Sequence, residues 1–235
     1  MNTQKTKTAL VTGGSKGIGL STAAKLLDAG YNVCITGRSS NDLEKAKELL
    51  NSDRLMTFIC NVRNYDEQET CVNAILEKFG SIDVLIANAG VGTFKDITEM
   101  SIEDWNDVID TNLTGVFYSV KVCLPSIIES QGYIITIASL AGTNFFEKGS
   151  AYNASKFGLV GFTQALMLDV RKKGVKVSTI MPGSVSTYFN GHTPGPEDDW
   201  KIQPEDIGQI VVDLLNMAPR TLPSKIEVRP SFPGK

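Results

Sequence analysis

A chain of 235 residues, 42% hydrophobic and 21% charged, is long enough to bury a large α/β core without disulfides or metal, and it reads as one domain over 1–235. Its formal net charge of −3 speaks against a nucleic-acid partner or an anionic membrane surface, since either needs a clustered basic excess, and points to a small-molecule partner. A single histidine, His192, and four cysteines without Cys-x-x-Cys spacing (Cys34, Cys60, Cys71, Cys123) assemble neither a zinc site nor a His-based triad. No metal is expected, and the thiols read as buried and free.

Met1 to Lys7 are polar and lead into an apolar stretch too short for a secretory segment. No apolar run is long enough to span a bilayer, so a cytoplasmic location is expected. From there short β-rich runs alternate with helical patterns. Strands are predicted near Thr8 to Val11, Asn32 to Thr36, Leu55 to Ile59, Val84 to Ala87, Tyr133 to Ile137, Lys176 to Ile180 and Lys225 to Val228. Helices are predicted over Gly17 to Ala29, Asp42 to Leu50, Asp66 to Phe79, a long Ile102 to Ile128, Ala151 to Lys172, and Pro204 to Met217. The alternation implies an α/β fold, a Rossmann-type doubly wound parallel sheet of seven strands with helices on both faces. One irregular stretch, 183–203, has the length and composition of a substrate loop.

Doubly wound sheets bind ligands beyond the C-terminal ends of their strands, so the residues just after each strand carry the chemistry. After the first strand, Thr12-Gly13-Gly14-Ser15-Lys16-Gly17-Ile18-Gly19 opens directly into a helix. Glycines there let the backbone approach a pyrophosphate, whose charge meets the positive helix end. After the second strand comes Gly37-Arg38-Ser39. The acidic residue that would bind a ribose 2′-hydroxyl is absent, and Arg38 offers a planar fork to a 2′-phosphate, so NADP(H) is preferred with NAD(H) possible. Asn88-Ala89-Gly90 ends the fourth strand and Ser139 the fifth. Tyr152 and Lys156 stand at i and i+4 on one helix face. There the ammonium would favour the phenolate and lower the phenol's pKa by roughly 1 to 3 units.

Taken in order, Thr12 to Gly19, Asn88-Ala89-Gly90, Asn112, Ser139, Tyr152-x-x-x-Lys156 and Pro182-Gly183 resemble the motif set of the classical short-chain dehydrogenase/reductase family. The resemblance implies an NADP-dependent oxidoreductase acting on a carbonyl or alcohol. Tyr152 would be the general acid/base and Lys156 would tune it and hold the nicotinamide ribose. Ser139 would polarise the substrate carbonyl, and Asn112 would open its helix to hold a water in the proton relay. It places the cofactor on Gly13, Ser15, Lys16, Gly17, Ile18, Gly19, Arg38, Asn61, Val62, Asn88, Ala89, Gly90, Tyr152, Lys156, Pro182, Gly183, Val185 and Thr187. Lys16 adds a second positive charge beside Arg38, as in NADP-preferring relatives.

The resemblance also implies a homodimer or homotetramer through the two long apolar-rich helices. The terminal run Val228 to Pro233 replaces the glycine-rich ending of many relatives and weakens the case for the tetramer. Other departures are Asn61 where Asp is common and Ala87 in place of the first of two Asn residues. Tyr188, Phe189 and Trp200 suggest an apolar or aromatic substrate wall or, equally, the internal packing of the loop. Two rival classes are a nicotinamide-sensing regulatory protein without turnover and an epimerase or dehydratase. The full Asn112, Ser139, Tyr152, Lys156 set disfavours the first, and the chain length the second.

Overall fold

The computed structural model describes residues 5–232; Met1 to Gln4 of the polar start and Pro233 of the terminal run lie outside the described residues. The strands are β1 Thr8–Val11, β2 Asn32–Gly37, β3 Leu55–Ile59, β4 Val84–Ala87, β5 Tyr133–Ile137, β6 Lys176–Pro182 and β7 Lys225–Val228. They form one parallel sheet in the order β3-β2-β1-β4-β5-β6-β7. Because side chains alternate across a strand, Ala9, Val11 and Ile35 fall into one apolar cluster with α1 (Gly17–Asp28), α2 (Ser40–Leu50) and α7 (Pro204–Asn216). Leu10 and Cys34 fall into a second cluster with α3 (Tyr65–Phe79), α5 (Gly115–Glu129) and α6 (Ser150–Val170). Sheet faces that are both covered require continuous apolar strands, and β1, β4 and β5 are buried along their whole length.

The long helix expected from Ile102 to Ile128 is not continuous. α4 (Ile102–Ile109) passes through a π-type turn, Asp110–Thr114, before α5 begins. There the Gly115 N–H reaches back five residues to the Asp110 carbonyl. The irregular stretch 183–203 is also more ordered than its composition suggests. Val185 bridges Ile202, with Ser186 N donating to Ile202 O at 2.9 Å and Ile202 N to Ser184 O at 3.0 Å. This neck carries two short 3₁₀ turns, Phe189–Gly191 and Pro196–Asp198.

All four thiols are free and buried, and burial pushes Cys60 up to about 12. Among the described residues no helix is long and apolar enough to cross a membrane.

Candidate active site

The C-terminal ends of the central strands open onto one cleft of about 1570 Å³. Its floor at β1 is the glycine turn. Gly13 has φ +64°, and a Cβ there would lie 2.9 Å from Ala89 Cα, so only glycine lets the turn press against the end of β4. Asn88 fixes that approach by donating through Nδ2 to Thr12 O (2.9 Å) and Gly13 O (3.1 Å). Thr12 Oγ1 accepts from the backbone N–H groups of Asn88 and Ala89, both at 3.1 Å. The turn delivers the start of α1 to the cleft with no side-chain cap on its first N–H groups, an arrangement suited to an anion. Ser15, Lys16, Gly17 and Ile18 line the wall. Gly19 does not; it is buried behind them against Gly13.

At β5 and α6 the cleft brings together Ser139, Tyr152 and Lys156. Lys156 is only 5% exposed, its Nζ donates to Ile137 O at 3.1 Å, and it stands 5.6 Å from the centroid of the Tyr152 ring. Removing an ammonium from water disfavours its charge, and burial pushes Lys156 down to about 8. Burial likewise raises the Tyr152 phenol above its ordinary value, against an opposing pull from the Ser139 hydroxyl. Desolvation dominates both groups, so the phenol lies above its ordinary value and not below it as the spacing to Lys156 led one to expect.

Asn112 sits behind the wall rather than on it. Fully buried, its Oδ1 accepts from Val91 N (2.8 Å), while its Nδ2 donates to Val91 O (2.8 Å) and Ser155 Oγ (3.0 Å). Ser155 in turn donates to the Tyr152 carbonyl at 2.8 Å. The π-type turn thereby ties the segment after β4 to the helix that carries Tyr152. Asn112's polar atoms are spent on that link.

Arg38 is exposed at the rim beside β2 and makes none of the ion pairs among the described residues. Lys16 is not free in the same way, because its Nζ pairs with Asp42 Oδ2 at 2.8 Å. Asp42 lines the cleft too, and the bond to Lys16 holds its carboxyl below the usual range. Asn61 and Val62 flank the same end, with Asn61 Oδ1 accepting from Arg63 N at 3.2 Å. Pro182, Gly183, Val185 and Thr187 complete the opposite wall, with Ala89 and Gly90 between.

Several cleft residues were not singled out from sequence. Asp42 carried a local signal, standing three residues after Ser39, whose Oγ caps its N–H at 3.2 Å. Phe94 and Phe146, which contact the Tyr152 ring, carried none. Neither did Arg229, Pro230, Ser231 and Phe232, which the last strand brings to the rim.

The chain is thus a doubly wound sheet with a glycine turn at its switch point and with Ser139, Tyr152 and Lys156 gathered in one cleft. The short chain dehydrogenase model matches residues 7–197, and the chain belongs to that family of oxidoreductases. An uncharacterized oxidoreductase of Staphylococcus saprophyticus is 37% identical over 232 residues, covering 95% of this chain and 97% of its own. Among solved structures, an alcohol dehydrogenase of the archaeon Thermococcus sibiricus, complexed with 5-hydroxy-NADP, superposes with a TM-score of 0.90 at 29% identity, covering 96% of this chain and 97% of its own. An actinorhodin polyketide ketoreductase with NADPH gives 0.88 at 32% identity, covering 98% of each chain.

Proposed function

We propose that the chain is an NADP(H)-preferring oxidoreductase interconverting an uncharged carbonyl compound and its alcohol. The observation that carries this reading is one cleft with uncapped α1 N–H groups and Arg38 at one end and Ser139, Tyr152 and Lys156 at the other. A nicotinamide nucleotide fits that wall: Gly13 admits a backbone-close pyrophosphate, and Arg38 meets an adenosine 2′-phosphate. Bound there, the nucleotide supplies or accepts the hydride.

This chain's residues do the rest. Ser139 Oγ donates to the substrate oxygen and orients it beside the phenol. Tyr152 donates the proton at its Oη during reduction and takes it back during oxidation. A raised pKa keeps Tyr152 protonated near neutrality, which suits reduction. Lys156, charged below about pH 8, holds the nicotinamide ribose and stabilises negative charge developing on the phenol oxygen. Asn112 acts as a positioning residue through Val91 and Ser155.

The test is Tyr152→Phe. Turnover is expected to fall by about 10²- to 10⁴-fold, with nucleotide affinity, read by NADPH fluorescence, unchanged. A near-normal rate would refute the assignment. NAD(H) is the second reading, favoured by one observation: the carboxylate of Asp42 faces the same end of the cleft.

We read the assembly as a dimer across α5 and α6, whose outer faces expose Phe117 (46%) and Leu168 (54%). Light scattering should give about twice 25.5 kDa; a monomer at micromolar concentration would exclude it.

A further inference from the structure

Four aromatic rings from three well-separated stretches of the chain meet at the same point. Phe94 comes from the stretch after β4, Phe146 from the stretch after β5, Tyr152 from α6, and Phe189 from the loop after β6. Ring centroids are 5.4 Å apart for Phe94 and Tyr152, 5.7 Å for Phe189 and Tyr152, and 6.5 Å for Phe146 and Tyr152. Phe94 also meets Phe146 at 5.7 Å and Phe189 at 6.4 Å, every pair tilted or edge-on. Such contacts are favourable for aromatic quadrupoles. They do not bury the rings: Phe146 stays 47% and Phe189 37% exposed, both on the cleft wall. Apolar surface held open beside an acid/base centre is what a ligand would cover.

Phe189 owes its place to Gly92. A Cβ on residue 92 would stand 2.6 Å from Phe189 Cζ, 2.7 Å from its Cε1 and 3.0 Å from Phe94 Cζ. The tip of the loop ring therefore packs against the bare backbone of residue 92, and any side chain there would displace it.

Charge at this end is already matched. Lys201 and His192 both face the buried Asp198, each at 2.5 Å, and Arg229 pairs with Glu227 at 2.9 Å. Lys16 is held by Asp42 at the far end, where Arg38 also lies. Apart from Lys156, no cation lining this part of the cleft lacks a carboxylate partner among the described residues. A carboxylate, phosphate or ammonium received among the rings, away from Lys156, would lose hydration there without a charged partner.

We infer that the substrate is an uncharged, ring-bearing ketone or the matching secondary alcohol, received by Phe94, Phe146 and Phe189 around Tyr152, with Phe189 seated on Gly92 as the residue that sets specificity. The inference rests on the carbonyl–alcohol reading and names its substrate class.

The experiment measures kcat/KM for para-methylacetophenone, its para-carboxy and para-trimethylammonio counterparts, and the small ketones butanone and diacetyl. The neutral aryl ketone should exceed both charged analogues and butanone by at least about 10-fold, in the range that added apolar contact confers. Phe189→Ala should lower the aryl ketone's kcat/KM by about 10- to 100-fold and that of diacetyl by less than about threefold. Gly92→Ala should act in the same direction, and adding it to Phe189→Ala should cost less than it costs alone, because the nearer of the two rings it meets is gone and only the contact with Phe94 is left. An additive loss in the double variant would overturn the seating. Equal or better turnover of a charged ketone or of butanone would overturn the inference while leaving the carbonyl–alcohol reading intact. Nucleotide binding with no turnover of any carbonyl would instead sink that reading. Saturation-transfer NMR on the same ketones with the NADP⁺-loaded protein then tests the ring site directly, and equal binding of charged and neutral members would overturn it.

Discussion

Beside β1 and β2 the cleft wall is mainly backbone, pinned by Asn88 and Thr12 and closed by a glycine that no side chain can replace. Beyond β5 and β6 it is mainly side chains, half-exposed rings carried on loops. A backbone wall can vary little without breaking the turn that makes it, so discrimination there falls to the charges at its rim. A side-chain wall can be rewritten residue by residue with the sheet untouched. The contrast would let one scaffold hold the geometry of the β1–β2 end fixed while the other end is altered.

Lys156 lies where the two ends meet, and changing it should have the largest effect. Lys156→Met is expected to reduce turnover by about 10²- to 10⁴-fold while raising unfolding stability at pH 7 by about 1 to 3 kcal/mol, because an unpaired buried ammonium gives way to an apolar chain of similar size. Its folded pKa of about 8 lies below the unfolded value near 10.4. The cost of burying the charge is thus full below pH 8 and fades as pH climbs through that window, so the wild type should close the gap there. Urea titrations at pH 7 and pH 10 read this, and a less stable variant at pH 7 would contradict it. Reduction by the wild type should also decline as pH rises through about 8.

At the backbone-built end, Arg38→Ala should weaken NADPH binding by about 10- to 100-fold, the equivalent of the 1.5 to 3 kcal/mol of one hydrogen bond to a charged group, and NADH binding little. Asp42→Asn should strengthen NADPH binding by a few fold, since it releases Lys16 from its partner. Equal losses of both nucleotides in the first variant, or no gain in the second, would show that rim charge does not select the cofactor.

The smallest effect belongs to the loop. His192 and Lys201 hold the Asp198 carboxyl well below the usual carboxylate range. Its stabilising contribution is therefore present above the unfolded value near 3.9 and lost as pH falls from there through the folded value. Amide exchange over 184–202 should stay flat from pH 7 to about 4, after correction for intrinsic rates, and quicken below. Asp198→Asn should raise the aryl ketone KM by a few fold and leave nucleotide affinity alone. A shift in nucleotide affinity of the same size would erase the distinction between the two ends.

The alternation of strands and helices was legible because the central strands β1, β4 and β5 are buried along their whole length and the helical segments between strands follow a different period. The break at Asp110–Thr114 was not. Asn112 reads locally as a polar residue tolerated in a helix, and its reason for turning inward, the backbone of Val91, lies twenty-one residues away. Residues following strands could be located from the sheet rule, and most of those expected on the cleft line it. Gly19 and Asn112 stand one layer behind, a distinction no motif encodes. The pairing of Lys16 with Asp42 depends on β1 and β2 lying side by side, and Phe94 and Phe146 sit in loops that have no periodicity to read.

The bridge between Val185 and Ile202 has a kinetic meaning. A loop pinched at its neck has already given up much of the entropy of closing its ends, and it is braced inside by Asp198. Any opening that keeps these contacts would pivot about the stem as one body. Were such an opening to limit turnover, chemically different ketones would be expected to converge on the same kcat.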